Sequence, residues 1–176
     1  MISRLLLFAS YSLLAADGLA LAGNAPPSVI PLTLPSLDWT LAIETPSFAL
    51  EQKAFYQTDE GEAARFFATN PLTGVVMSAF LEKAPREGDA RVCRSFYLDK
   101  LVLSPTDKSS LRFRESGPVA IREYILTSSE LKGFKQNNLN AYLSHRGYWI
   151  DIHLSKVNLE LQPDSVALFT WDFNYK

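Results

Sequence analysis

The sequence holds one cysteine and two histidines among 176 residues, and each scarcity excludes something. With Cys93 alone, no intramolecular disulfide and no multi-cysteine zinc site can form. No cysteine stands near the N-terminal apolar segment, so a bacterial lipid anchor is not expected. The formal charge of −2 lacks the excess of clustered Lys and Arg that a phosphate-tracking surface needs, which argues against nucleic acid as a partner. Beyond the first segment there is no long apolar run, so no transmembrane segment is expected after signal removal. No Gly-x-Ser-x-Gly elbow or other oxyanion-hole motif occurs.

What is present begins with MISRLLLFASYSLLAADGLALAGNAPP. One early positive charge (Arg4), an apolar run over Leu5–Ala16 and small residues ending at Ala22 give the layout of a secretory signal peptide. The expected cleavage lies after Ala22 or Ala25. An uncleaved anchor is the competing reading, but Asp17 and Gly18 interrupt a run that would need about 20 apolar residues. The expected location is periplasmic or secreted. Residues 23–37 are proline-rich and read as an extended lead-in. Residues 38–176 then form a single domain, and a 47% hydrophobic composition is too rich for disorder.

Alternation over Trp39–Glu44 predicts a strand, and turn chemistry at Thr58–Gly61 and Asn70–Gly74 separates further strands. Val75–Lys83 is apolar on both parities, as in a central strand covered on both faces. A helix is predicted over Gly88–Leu103 and a second over Pro163–Phe173. Between them lie two hairpins, turning at Ser116-Gly117 and Arg146-Gly147. Strands with separated helices imply an α+β fold, an antiparallel sheet flanked by helices. Cys93, at helical spacing from Phe96 and Tyr97, reads as a buried small hydrophobe. The competing reading is a reactive thiol helped by Arg91 and Arg94.

The second hairpin is the most informative stretch. With Arg146 and Gly147 in the loop, Leu143, Ala141 and Leu139 oppose Ile150, Ile152 and Leu154 on one apolar face. Ser144, Tyr142, Asn140 and Asn138 oppose Trp149, Asp151, His153 and Ser155 on the other. A one-residue slip would bury Asp151 and His153, so this register is preferred.

Three readings of the polar face compete. A catalytic row would use Ser155 as nucleophile, His153 as base and Asp151 as orienter. Alternate residues on one strand lie about 6.5–7 Å apart, too far for a continuous hydrogen-bonded relay. A metal site using His153 and Asp151 lacks ligands, because His145 falls on the opposite face. No metal or other cofactor is therefore expected. The preferred reading is a half-exposed face that binds a small ligand or an envelope protein, with plain solvation or packing under a helix as the structural alternative. Its candidate residues are Asn138, Asn140, Tyr142, Trp149, Asp151 and His153, since Trp and Tyr bring apolar area with a polar tip. The run FKQNNLN (134–140) reads as a capped polar turn leading into a strand.

The segments TGVVMSAFLEK, VCRSFYLDK, REYIL, NLNAYL and WIDIHLSK together resemble small secreted bacterial proteins with a PsbP/Mog1-like α/β/α sandwich. The resemblance spans about residues 38–173 and carries no chemical motif. It implies an accessory or binding role in the envelope rather than catalysis.

Overall fold

The computed structural model describes residues 27–46, 48–99, 106–127, 133–157 and 170–175. Ten strands and one helix follow in order. They are β1 (Pro27–Leu32), β2 (Trp39–Pro46), β3 (Ala49–Thr58), β4 (Gly61–Asn70) and β5 (Val75–Lys83), then α1 (Ala90–Asp99). After it come β6 (Thr106–Ser116), β7 (Val119–Thr127), β8 (Lys135–His145), β9 (Tyr148–Val157) and β10 (Thr170–Tyr175). They build a seven-stranded sheet in the order β3-β4-β5-β9-β8-β7-β6 and a three-stranded sheet in the order β1-β2-β10. Every pairing is antiparallel.

Local chemistry sets the turns. Between β4 and β5, the Asn70 side chain accepts from the Leu72 and Thr73 amides, and its carbonyl accepts from Gly74 N. Between β8 and β9, Arg146 and Gly147 both take positive φ, 48° and 76°. That conformation matches the right-handed twist of the flanking strands. The resulting register pairs Leu143 with Ile150, Tyr142 with Asp151, and Asn140 with His153, as the side-chain pattern requires.

The two sheets meet face to face. Ile30, Leu32, Leu34, Trp39, Leu41 and Ile43 from the small-sheet side share one buried cluster with large-sheet residues. Among the latter are Phe66, Met77, Leu81, Ile121, Leu143, Ile150 and Ile152. Burying each such side chain stabilises by about 1.5–3 kcal/mol. Trp39 anchors the seam, edge-on to His145 (4.9 Å between ring centroids) and to Tyr148 (5.9 Å). His145 therefore lies on the sheet face opposite His153 and belongs to this packing.

The expected α+β fold, a sheet flanked by helices, is corrected here. The chain is predominantly β, and one face of the large sheet is covered by a second sheet. The lead-in supplies part of that second sheet. Pro27 and Pro31 lack an N–H, which an edge strand tolerates, and β1 is such an edge. Of the helix expected over Pro163–Phe173, the part from Thr170 is strand β10, and residues 163–169 lie outside the described residues. The helix expected over Gly88–Leu103 starts at Ala90. Asp89 caps it by accepting from the Arg91 and Val92 amides (2.9 and 3.1 Å), and residues beyond Asp99 lie outside the described residues. The run 134–140 is not a turn, since β8 already begins at Lys135.

Candidate functional site

The second face of the large sheet carries the polar residues. α1 crosses one end of it, packing Ala90, Cys93, Phe96 and Tyr97 against Ala120, Tyr142 and Trp149. Trp149 is 0% exposed, lies 5.2 Å from the Phe96 ring, and directs its indole N–H at the Gly88 carbonyl (3.4 Å). Tyr142 is equally buried and stacks on Tyr97 (5.9 Å). These two aromatics, read from the sequence as surface anchors, are packed beneath the helix. Cys93 is buried with them, and burial pushes its thiol well above the ordinary range, so the structure gives no support to a reactive thiol. Beside them the Tyr97 hydroxyl donates to the buried Glu82 carboxylate.

Beyond the helix, cross-strand pairing lines up one row from Phe67 on β4 through Ser78, His153, Asn140 and Arg122 to Phe113 on β6. The next row places Phe80 beside Asp151, and the row on the other side places Ser155 beside Asn138. Ser78, Phe80, Asp151 and His153 are partly exposed, whereas Arg122, Asn138, Asn140 and Ser155 are buried. The result is a narrow open strip with a buried polar wall.

The hydrogen bonds in the wall have a fixed direction. Arg122 can only donate, so its Nη2 gives to Asn140 Oδ1 (2.8 Å), and Asn140 Nδ2 gives to Asp151 Oδ1 (2.7 Å). Asn138 Nδ2 donates to the Gln136 carbonyl (2.7 Å), which leaves Asn138 Oδ1 facing His153 Nε2 at 2.9 Å. A carbonyl-type oxygen cannot donate, so the histidine proton sits on Nε2.

The charges follow from burial. Desolvation lifts the Asp151 carboxyl to about 6, with the Glu82 charge adding to it and the Asn140 hydrogen bond and Arg122 opposing it. Desolvation also holds His153 down at about 4, and the Arg122 guanidinium adds to the effect. At neutral pH the site therefore contains an ionised Asp151, a neutral His153 and a cationic Arg122.

All six expected binding residues share this face, but they divide into three environments. Tyr142 and Trp149 are under α1, Asn138 and Asn140 are in the wall, and Asp151 and His153 are on the strip. The Asp151/His153/Ser155 row is not wired as a relay. Asp151 accepts from Asn140, His153 donates to Asn138, and no hydrogen bond links Ser155 to His153. No group of three or more His, Cys, Asp or Glu able to hold a metal occurs among the described residues.

Sequence reasoning missed Arg122. Its signal was a cation inside the apolar alternation VAIREYILT, on the parity of Ala120 and Tyr124. Comparison with protein-family models, characterised proteins and solved structures found no match.

Proposed function

We propose that the protein is an exported, non-enzymatic binding or accessory protein of the bacterial envelope that takes a ligand on the strip between β5 and β9. The observation that carries this reading is the pairing of an accessible strip (Ser78, Phe80, Asp151, His153) with a buried, hydrogen-bonded polar wall. Polar groups buried at a site with fixed direction favour recognition, because a matched ligand meets donors and acceptors that need no reordering. The leader-like N-terminal segment supports the envelope location.

The competing reading is a hydrolase or metal-assisted enzyme using Asp151, His153 and Ser155. The shifted Asp151 and His153 favour it, since perturbed groups cluster at reactive sites. The hydrogen bonds count against it, because both side chains are committed to asparagines.

A thermal-shift screen of small envelope components and an assay against ester and amide substrates separate the two. The expected result is saturable stabilisation by at least one component, blocked by Ser78→Trp, without turnover. Turnover that disappears in a folded His153→Ala variant would overturn the binding reading.

A further inference from the structure

We infer that Arg122 anchors a binding site for a small oxyanion, a class that includes carboxylates, phosphate and sulfate, set into the polar face of the large sheet. This rests on the reading of that face as a binding site and names the class of ligand.

The first observation is an unbalanced donor inventory. Arg122 is 2% exposed, and its Nη2 has Asn140 as a hydrogen-bond partner. Its Nε and Nη1 are buried without one, which leaves three of the five guanidinium N–H groups unused. The Tyr142 hydroxyl, on the neighbouring strand, is also buried without a partner. Burial pushes that phenol up, so it keeps its proton and remains a donor. Among the described residues, no other buried side-chain nitrogen or oxygen lacks a partner. What these buried groups lack is therefore acceptors. A single water accepts two hydrogen bonds and must place two protons of its own, whereas an oxyanion accepts all of them and donates none.

The second observation is charge. No ion pair within 4.0 Å joins Arg122 to any carboxylate among the described residues. Asp151 reaches it only through Asn140, and Glu82 is engaged by Tyr97. A buried guanidinium without a direct counter-charge is costly to hold, and an anion removes that cost.

The third is preorganisation. The guanidinium carbon lies 4.7 Å from the centroid of Tyr124 and 5.7 Å from that of Tyr142. Cation–π contact steadies the charge, and the Tyr124 side chain also hydrogen-bonds the guanidinium, which leaves Nε and Nη1 as the available donors. Arg rather than Lys suits this task, because its planar donor set matches the oxygens of carboxylate and phosphate. The row containing Arg122 runs from the partly exposed Ser78 and His153, past the buried Asn140, to Phe113, which is 48% exposed.

The test is to follow the Arg122 Nε–H resonance of the ¹⁵N-labelled protein during titration with acetate, phosphate or sulfate at constant ionic strength. Acetamide serves as the uncharged control. The expected result is a saturable shift with one or more anions and none with acetamide. The preferred anion identifies the source. Arg122→Met should abolish any anion-dependent shift of the neighbouring Asn140 side-chain amide, which Arg122 contacts in the wild type. Tyr142→Phe, which removes a hydroxyl that has no partner in the fold, should weaken anion binding about tenfold. Absence of any saturable Arg122 shift would overturn the inference. If the Ser78, Phe80 or His153 signals still respond to another small molecule, the site binds by a different chemistry and the broader reading stands. If none responds to the anions or to the screened components, both fail.

Discussion

Asn140 donates to Asp151 across the β8–β9 pair, with Nδ2 and Oδ1 2.7 Å apart. The donor is fixed because the other end of the amide accepts from Arg122. A neutral amide thus stands between a buried cation and a carboxylate that burial makes reluctant to ionise. The two charges attract but do not touch.

This arrangement gives a pH signature. Asp151 has its folded value raised to about 6, above the ordinary carboxyl range. Its stabilising contribution is complete below about pH 4 and is lost as pH rises through 6. His153 is lowered to about 4, so its contribution is complete above about pH 6.5 and is lost as pH falls through 4. Between pH 4 and 6 the two slopes oppose each other. Asp151→Asn should leave the histidine slope, with stability rising toward pH 6.5 by up to about 1.4 kcal/mol per pH unit. His153→Gln should leave the opposite slope. Urea unfolding at half-unit pH steps measures both, and parallel curves for the two variants would refute the assignment.

Trp149→Ala should act on the fold before it acts on any ligand. The indole fills space between Phe96, Tyr97 and the sheet, and its loss leaves a cavity under α1. The expected cost is about 3–5 kcal/mol in denaturant unfolding. A variant of unchanged stability would place Trp149 on the surface after all.

Cys93 offers a probe of the same layer. Its thiol is buried and held protonated, so alkylating reagents should leave the native protein unmodified and label one thiol once it is unfolded. Rapid labelling at neutral pH without denaturant would mean that α1 lifts readily from the sheet.

The β8–β9 hairpin was legible because period-two alternation, a Gly-containing loop and the cost of burying Asp151 and His153 all select one register. The sequence did not disclose what would cover each face. Prolines suggested an extended lead-in ahead of the domain, although β1 uses them on an edge where no N–H is needed. Pro163 and Asp164 resemble a helix start, which masked the alternation of Trp171, Phe173 and Tyr175 within β10. Arg122 went unnoticed for a related reason. Its partner Asn140 lies on the next strand, so only the β7–β8 pairing brings the two together. Trp149 and Tyr142 looked like surface anchors because nothing local in the hairpin records that α1 returns over them.

The small sheet also determines when folding can finish. β2 is its middle strand, flanked by β1 directly before it and by β10 from the far end of the chain, where Trp171 pairs with Ile43. Until residues 170–175 have been delivered, β2 presents an open edge to whatever else can add a strand.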